Sequence, residues 1–288
     1  RRLLTVRPKQ CEYLHIGNTA MLVALRAPEE RGVVKAMKLR IVTPITTHGF
    51  ASVDDFLPLM RPDTELSHVE IDHGPASIES DYDAMMATPH TVARIIEAER
   101  DGIDAVVINC MDDPGMQAGR EAVRIPVIGP CEATMHMAAM LGHTFSVITV
   151  MKCLRRQFEN HARLYGLQDK LASVRAVEIP VLELEDDRER LVQMLADEAQ
   201  LAVEQDGAHV MIFGCTGMIG TAEAVEAELA RRGYPEVPVL DSMVVAVKLA
   251  EAIADLGLRH SKMSWPEPPA KRIDGYAFMP EPAIAMVG

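Results

Sequence analysis

The chain has 288 residues, 48% of them hydrophobic, which is typical of a soluble globular protein with one large or two small domains. Its formal net charge of −13 argues against a nucleic-acid partner, because binding a phosphate backbone needs clustered Lys and Arg. No apolar run approaches the roughly 20 residues that span a bilayer, and the five widely spaced cysteines predict free thiols in a reducing cytoplasm.

Strands and helices are predicted to alternate along most of the chain. Residues 1–36 show no sustained period and are interpreted as an N-terminal extension. Thr88 and Pro89 predict a helix N-cap followed by proline in the first turn. The predicted elements are strands at 37–42, 104–109, 125–128 and 145–150, and helices at 88–101, 132–141, 154–165 and 187–205. This alternation predicts an α/β fold in which helices cover both faces of a parallel sheet.

The sequence also contains an internal repeat. The segment from Glu99 to Cys110 aligns with the segment from Glu204 to Cys215 at a constant offset of 105 residues, and Glu, Asp, Gly and Cys coincide. Apolar residues match apolar residues between them. The chain therefore resembles two copies of one α/β unit, each with a cysteine just beyond the carboxyl end of a strand.

That position is where open α/β sheets bind ligands. The turn-rich segments after Cys110 and Cys215 are expected to offer free backbone N–H groups, which bind carbonyl oxygens and lower the pKa of a thiol. Two thiols facing one carbon from opposite sides could exchange a proton there, one as base and the other as acid. The duplicated cysteines thus predict inversion of a stereocentre in a small carbon acid, without metal or pyridoxal.

Other chemistries find less support in the residues. The ten histidines show no metal-ligand spacing, and Cys11, Cys131 and Cys153 have no partner in the repeat, so they are interpreted as structural or incidental. The glycine-rich stretch from Gly214 to Gly220 lacks a Walker lysine. Its glycines, including Gly217, are predicted to let the backbone approach a small ligand closely.

Four separate motifs resemble those of the aspartate/glutamate/hydantoin racemase family, in particular its hydantoin and allantoin racemase branch. They are IVTPITT at 41–47, GPASIES at 74–80, CMDDPG at 110–115 and GCTGM at 214–218. The resemblance spans roughly residues 37–275. It implies two similar Rossmann-like domains with the active site between them, catalytic Cys110 and Cys215, no cofactor, a small-molecule substrate and a homo-oligomer.

The resemblance also implies domain limits. The first α/β domain would comprise residues 37–130 and 236–262, and the second would comprise residues 131–235. A Pro-rich C-terminal tail, residues 263–288, would follow. In this arrangement Thr46 and Thr47, with the backbone N–H groups after the cysteines, would hold the substrate's carbonyl groups, and Ile45, Met111 and Met218 would form the wall of the pocket. Asp112, Thr216 and Gly217, in the loops after the cysteines, complete the set of predicted substrate-binding residues.

Four residues, in three motifs, depart from the branch. Thr43 and Ile45 stand where the branch has asparagine. Asp112 stands where the branch has a small residue, and its carboxylate would raise the pKa of Cys110 unless the carboxylate points away or is paired. Thr216 replaces an alanine, and its hydroxyl is expected either to bind a substrate oxygen or to cap the next helix. The sequences that follow the cysteines in the amino-acid racemase branch are absent, which disfavours free aspartate or glutamate.

The leading hypothesis is a racemase of 5-substituted hydantoins or related cyclic ureides. Two alternatives stay open at this point: a maleate-isomerase-like or arylmalonate-decarboxylase-like enzyme on the same fold, and a non-catalytic relative that only binds a small molecule.

Overall fold

The computed structural model describes residues 14–16, 19–21 and 36–282. The chain divides into two compact units at Met37. In the first unit, strands β1 (Leu14–Ile16) and β2 (Thr19–Met21) pair antiparallel; the remainder of the predicted N-terminal extension, Cys11 included, lies outside the described residues. The second unit carries the predicted α/β fold.

Two four-stranded sheets form the framework of the second unit. The first sheet contains β3 (Met37–Thr43), β4 (Thr64–Glu70), β5 (Ala105–Ile108) and β6 (Val127–Ile128). The second contains β7 (Phe145–Thr149), β8 (Leu171–Ala176), β9 (Val210–Phe213) and β10 (Val239–Leu240). The orders are β4-β3-β5-β6 and β8-β7-β9-β10, and every pairing is parallel. The two sheets thus repeat one topology, as the internal repeat predicts.

Helices follow or connect these strands. They are α1 (Val53–Phe56), α2 (Asp81–Arg100), α3 (Met116–Ala122), α4 (Pro130–Leu141), α5 (Arg155–Leu164), α6 (Arg188–Asp206), α7 (Ala222–Arg231) and α8 (Ser242–Asp255). Among the described residues, none of these helices is long and apolar enough to cross a membrane.

The start of α2 differs from the sequence prediction. Ser80 is the N-cap and accepts a hydrogen bond from the Asp83 backbone N–H, so that Pro89 lies inside the helix. Thr88, the predicted N-cap, donates its hydroxyl to the carbonyl of Ala84 one turn earlier. The prediction was wrong because proline inside a helix was treated as a start signal, whereas a long helix with a buried apolar face tolerates the lost hydrogen bond.

Helices α4 and α8 lie between the sheets and pack against each other. Helix α4 follows β6 of the first sheet, yet its buried residues Met135 and Ala138 belong to the core of the second sheet. Helix α8 follows β10 of the second sheet, yet Met243 and Val247 belong to the core of the first. Each sheet is therefore covered by the helix that follows the other sheet's last strand.

This exchange bears on the predicted domain limits, which stay a prediction. The pairing of β10 with β9 places residues 239–240 in the second sheet, which counts against a return to the first domain at residue 236. The return to the first half comes instead with α8. Beyond α8 the predicted tail has no helix or strand up to residue 282, and Phe278 stacks on His90 of α2 at 4.0 Å between ring centroids.

Asp241 connects β10, α8 and the loop after Cys215, and we expect it to matter for stability. Its carboxylate accepts hydrogen bonds from the N–H groups of Met243 and Val244 at the start of α8, and from Gly220 at 2.7 Å. Asp241→Ala is expected to lower the free energy of unfolding by about 2–3 kcal/mol, since it removes a buried N-cap and also leaves the Gly220 N–H without its acceptor.

The matched control is Asp187→Ala. Asp187 is an exposed N-cap whose side chain accepts one hydrogen bond, from Arg190, so its loss should cost about 0.5–1 kcal/mol. Urea denaturation of both variants measures the difference. Equal losses in the two variants would contradict the role assigned to Asp241.

Candidate active site

Cys110 and Cys215 each lie two residues beyond a completely buried central strand, β5 and β9. Because parallel strands present their carboxyl ends at one edge of a sheet, both cysteines reach the cleft between the halves. Both side chains are half-buried and line the same cavity of about 40 Å³. The structure therefore brings together the two residues that the repeat singles out.

Residue 214, immediately before Cys215 at the end of β9, has no room for a side chain and is a glycine. A Cβ atom there would lie 2.9 Å from both Val147 Cγ1 and Thr149 Cβ of β7. Since neither a β-branched side chain nor the backbone of a central strand can shift cheaply, only glycine fits. The close approach of β9 to β7 is what fixes the point at which Cys215 enters the cleft.

Four of the predicted substrate-binding residues line this cavity with the cysteines: Ile45, Met111, Asp112 and Thr216. Gly217 lines a second, adjacent cavity of about 540 Å³. A Cβ at Gly217 would lie 3.1 Å from Phe50 Cζ and 3.0 Å from Leu184 Cδ1, so the glycine permits these side chains to approach the loop.

Thr46, Thr47 and Met218 lie elsewhere. The hydroxyls of Thr46 and Thr47 donate to the carbonyls of Pro75 and Ala76, and Met218 is fully buried in the core. None of the three is among the residues that line either cavity. A substrate-binding role for these three stays a prediction, and in the structure the two threonines anchor the loop of residues 74–80.

Asn109 joins the two halves of the site. Its Nδ2 donates to the hydroxyl of Thr43 at 3.0 Å, and Thr43 in turn lies 2.8 Å from His68 Nε2. The Asn109 carbonyl accepts the hydroxyl of Thr216 at 3.3 Å, so Thr216 connects the cysteine loops instead of capping a helix. Asn109 Oδ1 is buried and has no hydrogen-bond partner, although Asn109 lines both cavities.

Burial raises the pKa of both thiols, because a thiolate loses its hydration there. For Cys215 the pKa rises to about 11, and the Gly217 N–H partly opposes this rise. The pKa of Cys110 is also raised well above its usual range, first through burial and then through the charge of Asp112, while the Asp112 N–H at 3.5 Å lowers it. A charge on Cys215 also raises the pKa of Cys110, as expected for two groups in one cavity.

Asp112 is paired, but not with a cation. Its Oδ1 accepts a hydrogen bond from Gln157 Nε2 and lies 3.5 Å from His161 Nε2, both on α5. Burial raises the pKa of Asp112 to about 7 and lowers that of His161 to about 4. His161 is thus neutral near pH 7 and does not neutralise the charge of Asp112. The predicted rise in the pKa of Cys110 therefore has its physical cause in an Asp112 carboxylate without a cationic partner.

Sequence reasoning missed the part of the wall that comes from the second half. Val150, Leu154, Gln157 and Phe158 line the cavity and follow β7. The order of the two sheets makes β7 equivalent to β3. The residue Ile45, which follows β3, was selected, so the start of this segment at Val150 could have been found by the same equivalence. Asn109 and Gly214 precede the two cysteines at the same offset of 105 residues and could have been found in this way too.

Comparison with known proteins gives one consistent result. Residues 46–250 match the family described as Asp/Glu/Hydantoin racemase. The hydantoin racemase of Pseudomonas sp. (strain NS671) is 37% identical over 238 residues, which are 82% of this chain and 93% of that protein. The structure of allantoin racemase from Klebsiella pneumoniae superposes with a TM-score of 0.77 at 30% identity, over 83% of this chain and 97% of that one.

A more distant structure shares the fold alone. A variant of arylmalonate decarboxylase superposes with a TM-score of 0.57 at 16% identity, over 78% of this chain and 96% of that one. The family match covers well over half of the present chain, and the hydantoin racemase match covers most of both proteins. The chain therefore belongs to the Asp/Glu/hydantoin racemase family and is a racemase, an enzyme of the isomerase class.

Proposed function

We propose that the enzyme inverts the stereocentre of a 5-substituted hydantoin or a related cyclic ureide by proton transfer between Cys110 and Cys215. The observation that carries this proposal is that two thiols, from equivalent positions of two equivalent sheets, line a single cavity. The similarity to hydantoin and allantoin racemases supports the substrate class.

In this mechanism one cysteine is a thiolate and the other a thiol. The thiolate removes the proton from the stereocentre, and the electron pair of the broken C–H bond moves into the adjacent carbonyl to give an enolate. The other thiol then donates its proton to the opposite face of the same carbon. Each turnover leaves the two cysteines with exchanged protonation states, so either enantiomer can serve as substrate.

The charge of the cavity favours a neutral ring over a free amino acid. Among the described residues that line the cavity, none is Arg, Lys or His, and Asp112 is the one ionisable group besides the thiols. A carboxylate in this cavity would lose its hydration without gaining a cation, which costs several kcal/mol. Arg188, a cation that lines the adjacent cavity, already pairs with Glu185. A cyclic ureide carries no formal charge and avoids this cost.

Asn109 is suited to recognise such a ring. Its Oδ1 is a buried acceptor without a partner, and its Nδ2 is already used by Thr43. A buried acceptor without a partner costs about 1–3 kcal/mol, which a ring N–H of the substrate would recover. The adjacent cavity of about 540 Å³, which shares Phe50, Asn109 and Thr216 with the first, offers room for the substituent at the stereocentre.

The direct test uses an optically pure 5-substituted hydantoin in deuterium oxide. We expect the optical rotation to decay to zero while the carbon at position 5 gains deuterium. Cys110→Ser and Cys215→Ser should each abolish the decay, because a serine hydroxyl is far too weak an acid either to donate the proton or to form the anion that removes one. Cys153→Ser, at an exposed cysteine, is the matched control and should keep full activity.

Other outcomes would point to other functions. Activity that survives in either Ser variant would contradict the two-base mechanism. A covalent adduct on one cysteine, detected by mass spectrometry, would favour an isomerase that uses a nucleophilic thiol. Thermal stabilisation by the ligand without any change in the ligand would favour a binding protein.

The contribution of Asn109 can be tested separately. Asn109→Ala removes the acceptor, and we expect KM to rise about tenfold, the value of one neutral hydrogen bond, with a smaller change in kcat. Thr43→Val is the control, because it removes the partner of Nδ2 and leaves Oδ1 in place; its KM should change less than about threefold. Steady-state polarimetry at several substrate concentrations measures both, and an unchanged KM in Asn109→Ala would remove Asn109 from the recognition of substrate.

A further inference from the structure

We infer that Asp112 makes the two thiols unequal: it disfavours the thiolate of Cys110 relative to that of Cys215, so that the two directions of racemisation differ in kcat. The inference rests on the proposed two-cysteine mechanism and adds a positioning residue to it. Asp112 acts here through Cys110, and no contact with substrate is required.

The internal repeat shows where the inequality arises. The offset of 105 residues that relates Cys110 to Cys215 relates Asp112 to Gly217. Both residues have a backbone N–H that acts on the preceding thiol, at 3.5 Å from Cys110 Sγ for Asp112 and as a hydrogen bond to Cys215 for Gly217. The two loops therefore match in their backbone donors. They differ in that one of them carries a carboxylate and the other has no side chain.

The carboxylate of Asp112 is fixed in the cavity wall. Gln157 Nε2 donates to Oδ1, and the side chain is only 14% exposed. The charged and titratable groups that face it come from every neighbouring element: Cys110 and Asp113 on its own loop, His161 on α5, and Asp81 at the start of α2.

None of these neighbours neutralises Asp112. His161 is neutral at neutral pH because burial lowers its pKa to about 4, and Asp81 forms its own surface ion pair with Arg156. Asp113 accepts hydrogen bonds from the Tyr165 hydroxyl and from the N–H groups of Cys131 and Glu132. When Asp112 ionises, its charge thus acts on the Cys110 thiol without a compensating cation.

The surroundings of Cys215 differ in this respect. The carboxylate that acts on it belongs to Glu79, which is not among the residues lining the cavity and accepts the Val181 N–H at 2.8 Å. Since like charges at short range disfavour ionisation, the thiolate form of Cys110 is the less populated of the two. Because burial raises the pKa of Asp112 to about 7, the inequality should grow between about pH 6 and pH 8.

The kinetic consequence is constrained by the equilibrium. Free enantiomers have equal energies, so kcat/KM must be the same for both, and the inequality can appear only in kcat and KM separately. The enantiomer whose proton is taken by Cys110 needs the thiolate form of Cys110. Most of the enzyme that it meets has this thiol protonated, so most of its binding is unproductive. This enantiomer should therefore show both a lower kcat and a proportionally lower KM than its mirror image.

The variant that tests this is Asp112→Asn, which removes the charge and keeps an oxygen for Gln157. The first measurement does not depend on activity: iodoacetamide alkylation of each cysteine at about pH 8, followed by mass spectrometry, reports thiolate content. In the unmodified enzyme Cys215 should react about tenfold faster than Cys110. In Asp112→Asn the rate of Cys110 should rise about tenfold, while those of Cys215 and the exposed Cys153 stay within about twofold.

The second measurement is the ratio of kcat for the two enantiomers between about pH 6 and pH 8. It should move away from one as pH rises in the unmodified enzyme and change much less in Asp112→Asn, where only the smaller effect of Asp113, whose pKa burial also raises to about 7, remains. Asp169→Asn, at an exposed carboxylate, controls for net charge and should behave like the unmodified enzyme. Equal alkylation rates of Cys110 and Cys215, or a pH-independent ratio of kcat, would overturn the inference.

These outcomes also separate the inference from the proposed function. If the unmodified enzyme and Asp112→Asn both racemise the substrate with the same ratio of kcat for the two enantiomers, the two-cysteine mechanism stands and the role of Asp112 is refuted. An enzyme that racemises no hydantoin would refute the proposed function, while the alkylation rates would still decide whether Asp112 acts on Cys110.

Discussion

The site depends on the packing of α4 against α8, because this contact sets the position of one sheet relative to the other. Each helix lies on the sheet to which its preceding strand does not belong. A buried apolar contact of this kind is close-packed, so a change of even one methylene group in its volume is felt. The contact thereby helps to place the ends of β5 and β9 at one cleft, as two groups acting on one carbon atom require.

Within this frame, polar groups connect the halves at the cysteines themselves. Thr216 from the second half donates to the carbonyl of Asn109 in the first, and Asn109 is held by Thr43. Asn109 and Thr216 place neutral dipoles beside the thiols, and the described lining of the cavity contains no cation. Burial raises the pKa of both thiols, so the thiolate that the proposed mechanism requires is a minor form near neutral pH and a correspondingly strong base.

The sequence allowed the fold class, the repeat and both cysteines to be predicted, because all three depend on short-range patterns. The cysteines stand out since a constant offset relates them, and the buried strands before them are continuous apolar runs. Thr46 and Thr47 were selected as ligand donors, but their hydroxyls bind the loop of residues 74–80. Gln157 could not be selected in this way, because it reaches Asp112 from a helix 45 residues away in the chain, and such a contact exists only once the two halves have packed.

The exchange of α4 and α8 also bears on how such a chain could arise. Two copies of a single α/β unit, in which the last helix of each copy covers the sheet of the other, would form a domain-swapped dimer. Joining the two copies end to end would give the observed order of elements, with each helix still lying on its neighbour's sheet. Neither half could then be separated from the other without exposing an apolar face, so a covalent link between the copies makes their association permanent.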